Sequence, residues 1–159
     1  MDIVDKKTRS RMMQSVPQSH TAPEIAIRRM LHSAGFRFRL HDPRLPGTPD
    51  LVLPRYRVVV FVHGCFWHFH ERCKYAKIPA SNQEAWRFKL ENNVARDQRQ
   101  IAALHDAGWR VLVVWTCALH SEKGYLTDQM TRWIKREENA EKIYHIRGPE
   151  TTTTGAIID

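Results

Sequence analysis

Apolar residues recur along this chain with two different periods, and the switches between them mark its elements. Ile27, Met30, Leu31 and Ala34 fall at helical spacing. They follow Thr21-Ala22-Pro23-Glu24, which reads as a capping box with proline in the first turn, and Gly35 closes the helix. Phe36, Phe38 and Leu40 then alternate with Arg37 and Arg39, the period of a half-buried strand. After a Pro- and Gly-rich loop, Asp50-Leu51-Val52-Leu53 and Arg57 to Val62 predict two strands joined at Pro54-Arg55-Tyr56. So short a turn makes them antiparallel neighbours, and their pairing brings Asp50 close to the Phe61–His63 end of the partner. Ser81-Asn82-Gln83-Glu84 resembles a second capping box. It opens a long helix with Leu90, Val94, Ile101 and Leu104 on one face, ending at Gly108. Val111 to Trp115 is an unbroken apolar run, as expected of a strand covered on both faces. Leu126, Met130, Trp133 and Ile134 mark a last helix. The predicted fold is α/β, a small mixed β-sheet flanked by helices, with the long helix as a right-handed crossover.

The ends of the chain lack this patterning. Residues 1–20 form a polar arm with the basic run Lys6-Lys7-Thr8-Arg9-Ser10-Arg11. From residue 137 to 159 no period persists, so a flexible tail is expected beyond a single domain at 21–136. At 159 residues the chain is long enough for one domain with a real core. Lys and Arg outnumber Asp and Glu 25 to 17, a net charge of +8 that points to a polyanionic partner, most often nucleic acid. No apolar run is long enough to span a bilayer, so no membrane role is expected. Three cysteines are an odd set, which favours an intracellular chain with metal-bound thiolates over a disulfide framework.

The chemistry is concentrated between His63 and Cys73. Three histidines and two cysteines lie in these eleven residues, around the adjacent pair Phe66-Trp67. Cys65, His70 and Cys73, with Cys117 just after the apolar strand, make a Cys₃His set suited to a closed, structural Zn²⁺ site. Alone, Cys117 would read as a small buried hydrophobe; three other ligands awaiting a fourth reverse that. Asp50 faces the strand end where His63 and His68 stand. A carboxylate can hold Mg²⁺ and a histidine can deprotonate water, which together suit phosphodiester hydrolysis.

The run Leu45-Pro46-Gly47-Thr48-Pro49-Asp50, the string Phe61-Val62-His63-Gly64-Cys65-Phe66-Trp67-His68 and the segment Gly108 to Leu119 resemble the very-short-patch-repair (Vsr) endonucleases. Asp5-Lys6, Thr8-Arg9-Ser10, Asn93-Val94 and Arg96-Asp97 match as well, so the likeness spans about residues 5 to 136. It implies a restriction-endonuclease-like core and a Mg²⁺-dependent nick 5′ of the thymine in a T:G mismatch. Such mismatches arise from deaminated 5-methylcytosine, which links the family to a cytosine-5 DNA methyltransferase. The resemblance makes Asp50 the metal-binding carboxylate, joined by the backbone carbonyl of Val62. It gives His63 and His68 to the water and the scissile phosphate, with Glu24 in support. Cys65, His70, Cys73 and Cys117 match its zinc ligands. Phe66, Trp67 and Trp86 match an aromatic wedge that enters DNA beside the mismatch, where Lys89 and Asn93 also contact it. A bacterial, cytoplasmic and nucleoid-associated monomer is implied, with mismatch-repair proteins as further partners. Valine at 62 departs from the family's usual threonine, Phe69 and Glu71-Arg72 alter its histidine-rich stretch, and Phe61 replaces the second acidic residue of related nucleases.

Some of these residues also fit plainer roles. Glu24 sits where a capping residue would, and Trp86 where a helix start packs on a core. The competing function is a zinc-stabilised, non-catalytic mismatch or DNA-binding module. Asp50 argues against it, because a carboxylate facing a phosphate would only repel. A nuclease of this fold with another target has no need of a wedge.

Overall fold

Two central strands account for the unbroken apolar runs. β3 (Val58–His63) and β4 (Arg110–Trp115) pair in parallel along their length, from Val58 opposite Arg110 to His63 opposite Trp115. Helix α2 (Gln83–Asp106) supplies the crossover that a parallel pair requires. The computed structural model describes residues 5, 7, 8, 10, 11, 19–136 and 141–149. β2 (Leu51–Leu53) runs antiparallel to β3 around the 3₁₀ turn Pro54–Tyr56, with Leu51 opposite Val60. β1 (Arg39–Leu40) adds antiparallel to β2, and β5 (Ile143–Ile146) adds parallel to β4. The mixed sheet therefore has the order β1-β2-β3-β4-β5.

Side-chain alternation sorts the core into two layers. Leu51, Leu53, Val58, Val60, Leu112 and Val114 face helices α1 (Ala22–Ser33) and α3 (Lys123–Lys135), whose Ile27, Leu31, Met130 and Ile134 are buried. Val52, Val59, Phe61, Val111, Val113 and Trp115 turn the other way, packing with Leu104 of α2 and with Cys65 and Cys117. His63 shares the parity of Val59 and Phe61, so the end of β3 delivers it to the α2 side. Arg110 ties the layers together at the far end. Its guanidinium donates to the carbonyls of Trp133, Ile134 and Arg136, satisfying groups that the end of α3 leaves open. Gly35 and Gly108 follow α1 and α2 with φ of 96° and 89°, the left-handed geometry that ends a helix cheaply only with glycine.

Three details differ from the periodicity. The strand predicted over 36–40 pairs only at Arg39 and Leu40, and Leu40 is 39% exposed at this edge of the sheet. The long helix starts one residue later than the second capping box predicts: its cap position is Asn82, left-handed at φ 56° and without a capping side-chain bond. A fifth strand forms after residue 137, where the pattern offers no element. Its backbone bonds come from β4, and only Ile146 of its four residues is buried, so little period is imprinted on it. Residues 137–140 and 150–159 lie outside the described residues, as do Lys6 and Arg9 of the basic arm. Lys7, Thr8, Ser10 and Arg11 are exposed and helical, and Asp5 accepts the N–H groups of Lys7 and Thr8. Among the described residues no helix is long and apolar enough to cross a membrane.

Candidate functional site

Asp50 stands one residue before β2, opposite the end of β3. Its Oδ2 accepts the backbone N–H of Val62 at 2.7 Å, which fixes the carboxylate against the strand. Burial pushes its pKa up to about 6; the Val62 bond opposes the rise and the charge of Glu24 adds to it. Two negative groups so close favour a cation between them.

Glu24 stands both in the first turn of α1 and on the wall of the cleft. Thr21 caps α1 by accepting the Glu24 N–H at 3.4 Å, so the helix start is satisfied by the threonine. The Glu24 carboxylate does not return to Thr21. It is buried, at 4% exposure, and its Oε2 takes the His20 N–H, the Arg28 guanidinium and His41 Nε2 at 3.0, 3.1 and 3.2 Å. His41 is a residue that sequence reasoning missed. Its Nε2 also lies 3.6 Å from Asp50 Oδ1, so Glu24, His41 and Asp50 form one potential ligand group. Only its place before the Pro- and Gly-rich loop could have drawn notice.

Across the cleft, His63 and His68 stack as parallel rings, 3.8 Å apart and 1° from coplanar. Burial, reinforced by His68, lowers the His63 pKa to about 3, so this imidazole stays neutral. His68 differs in having a carboxylate partner: Asp97 Oδ2 lies 2.6 Å from its Nδ1. Burial alone would raise Asp97, yet the hydrogen bond and charge of His68 outweigh it and hold the carboxyl below its ordinary value. An ionised carboxylate can only accept, so Nδ1 is the donor of this bond and Nε2 is the ring nitrogen left to act on other groups. Asp97 is the second residue missed. Its signal was a charged residue at seven-residue spacing between Leu90 and Leu104, the buried stripe of α2. A buried aspartate there needs a partner.

Phe66, Trp67 and Trp86 pack as a half-buried aromatic group, with ring centroids 5.1 to 6.2 Å apart. Trp86 therefore joins the other two rings and not the core of the sheet. Lys89 Nζ lies 5.5 Å from the Trp67 ring, and Asn93 donates to the Trp67 carbonyl at 2.9 Å. Asp50, Glu24, His63, His68, Trp67 and Lys89 all border a single cleft of about 1150 Å³, which Ser10 of the basic arm also reaches.

A second centre sits behind the aromatics. The ligand atoms of Cys65, His70, Cys73 and Cys117 all lie within 4.8 Å of one another, and all but Cys73 are buried. Cys117 Sγ is 3.5 Å from His70 Nδ1 and accepts the Gly148 N–H at 3.2 Å. A Cβ on Gly148 would meet the Cys117 carbonyl oxygen at 2.4 Å, so only glycine allows the segment after β5 to come this close. Burial pushes the Cys117 thiol up to about 12, partly offset by the Gly148 N–H. A divalent cation is what would hold such a set as thiolates. The grouping fits tetrahedral coordination, in which metal–sulfur bonds of about 2.3 Å set sulfurs roughly 3.8 Å apart.

A family model described as DNA mismatch endonuclease Vsr matches residues 1–74. The DNA mismatch endonuclease Vsr of Escherichia coli strain K12 is 44% identical over 137 residues, covering 84% of this chain and 87% of that protein. This chain belongs to the Vsr family. Other relatives in the family are named as nicking enzymes. The type II nicking enzyme V.XorIIP of Xanthomonas oryzae pv. oryzae is 52% identical over 118 residues, 74% of this chain and 86% of that protein. V.NmeAIP of Neisseria meningitidis is 37% identical over 139 residues, 87% and 98% of the two chains. The Vsr family match holds Asp50, His63, His68 and three members of the Cys/His group, while Asp97 and Cys117 lie beyond residue 74.

Proposed function

We propose that this protein nicks duplex DNA 5′ of the thymine in a T:G mismatch, by Mg²⁺-assisted hydrolysis on a restriction-endonuclease-like core. The observation that carries the reading is a base and a metal-binding carboxylate bordering one cleft. His68 is oriented by Asp97, and Asp50 is anchored on the β3 backbone. Asp50, with Glu24 and the Val62 carbonyl, would hold Mg²⁺, which supplies charge neutralisation at the scissile phosphate. His68 Nε2 takes the proton of the attacking water, and Asp97 stabilises the imidazolium that results. Neutral His63, stacked beside it, donates a hydrogen bond to the phosphate. Phe66, Trp67 and Trp86 enter the stack at the mismatch, where unstacking costs least. Lys89 and Asn93 contact the DNA beside them, and the basic arm follows the phosphates. Zn²⁺ at Cys65, His70, Cys73 and Cys117 braces the loop that carries the wedge and takes no part in the cut. The substrate's origin links the chain to a cytosine-5 methyltransferase, and mismatch-repair proteins are candidate partners. One chain supplies every residue named, so a monomer suffices.

The test is an end-labelled duplex with a single T:G pair, incubated with the protein and Mg²⁺ beside a fully matched control. A nick 5′ of the mismatched thymine, absent from the control, is the expected result. Tight binding without scission would instead make the protein a zinc-stabilised binding module.

A further inference from the structure

We propose that His41 is a nitrogen ligand of the cation held by Asp50 and Glu24, and that the site consequently binds Mn²⁺ more tightly than Mg²⁺. The inference rests on the reading of Asp50 as a metal-binding carboxylate and adds the identity of a ligand and of the ion.

Three donors converge here, with their ligand atoms all within 4.8 Å of one another. His41 Nε2 lies 3.2 Å from Glu24 Oε2 and 3.6 Å from Asp50 Oδ1. Adjacent ligands of an octahedral ion with bonds near 2.1 Å sit roughly 3.0 Å apart. Both His41 contacts are therefore only slightly longer than that spacing. Asp50 presents the right oxygen, because Val62 already occupies Oδ2 and leaves Oδ1 toward His41.

His41 is also held in place at some cost. Its backbone is left-handed, at φ 45°, a conformation that a non-glycine residue adopts only when its surroundings impose it. Its N–H bonds to the carbonyl of Asp50 itself, and the His20 ring meets its own edge-on at 5.0 Å. The backbone bond thus ties His41 to the residue whose carboxylate the cation would share. Arg28 competes for Glu24 at 3.1 Å, leaving the group a net charge near −1 and cation affinity moderate.

Ligand type then sets the ion. Mg²⁺ demands oxygen donors and retains its waters, whereas Mn²⁺, a transition-metal ion that shares its preference for carboxylates, accepts an imidazole among them more readily. Two carboxylates and one imidazole therefore favour Mn²⁺.

The experiment is Mn²⁺ titration of the zinc-loaded, full-length protein without DNA, followed by electron paramagnetic resonance. Electron spin-echo modulation from ¹⁴N is expected on the bound ion, and should vanish in His41→Gln. Mn²⁺ affinity should fall on the order of tenfold in that variant, and Mg²⁺ affinity less than about twofold. Bound Mn²⁺ without nitrogen modulation in the unaltered protein would overturn the proposal, leaving His41 as no more than an ion-pair partner of Glu24. Modulation that survives unchanged in a folded His41→Gln variant would overturn it too, assigning the nitrogen to His63 or His68. In either case T:G nicking with Mg²⁺ would persist and the proposed function would stand. Failure of Mn²⁺ to bind, together with absence of nicking, would instead remove the role of Asp50 itself.

Discussion

Two groups of side chains that could hold a cation stand apart in this molecule, and they are opposites. The Cys₃His group is soft, mostly buried and complete, with four donors and a backbone N–H closing over one sulfur. The Glu24–His41–Asp50 group is hard, borders an open cleft and offers three donors, so other positions remain for water or phosphate. A closed set suits structure and an open set suits chemistry. What separates them is the elements that supply the donors: Cys65, His70 and Cys73 lie in the loop after β3 and meet Cys117 beyond β4, whereas Glu24 comes from α1 and His41 and Asp50 from the segment between β1 and β2.

If the closed group is structural, its loss should be the costliest change. Stripping zinc with a strong chelator, or replacing Cys117 with alanine, should remove about 5 kcal/mol or more of stability. The near-ultraviolet circular dichroism should collapse with it. An unchanged melting curve would show that the closed group carries no ion. If the open group is chemical, Asp50→Ala should slow T:G nicking by at least about a thousandfold, or roughly 4 kcal/mol of barrier, while DNA affinity is kept. Equal losses of binding and nicking in gel-shift and single-turnover assays would contradict that division. Asp97→Asn keeps the shape but no longer enforces the His68 tautomer, and should lower the single-turnover rate about a hundredfold with little change in melting temperature.

The smallest effect separates the groups by pH. The Asp50 carboxyl stands near 6 in the folded chain, above its ordinary value of 3.8. It holds its proton more tightly folded than unfolded. Without divalent cations it therefore costs stability as pH rises from about 4 to about 6, and the deficit of roughly 2 kcal/mol persists at neutral pH. Asp50→Asn should thus raise the melting temperature of the cation-free protein at pH 7 and leave it unchanged at pH 4. Equal melting at both pH values would place Asp50 in a solvated setting. Added Mg²⁺ should reverse the order, stabilising only the unaltered protein.

Much of this was legible in the residues. The hairpin of β2 and β3 followed from two apolar runs and a three-residue turn, and with it came the meeting of Asp50 and Val62. The Cys₃His inventory followed from residue type. Less legible were the edges. Ile143–Ile146 carries almost no period, because its order comes from the neighbouring strand and not from a buried face of its own. The start of the long helix was also misplaced by one residue, since Asn82 at its cap is left-handed and makes no capping bond.

The partners of the site were the least visible. His68 and Asp97 are 29 residues apart, and His41 and Glu24 are 17 apart, on elements that share no period. Composition and spacing alone define the ligand types, the basic charge and the strands that carry them, since these depend on local chemistry. Which histidine meets which carboxylate depends on helix packing against the two faces of the sheet. So does the burial that keeps His63 neutral and raises Asp50, because desolvation exists only once the chain has closed around the group.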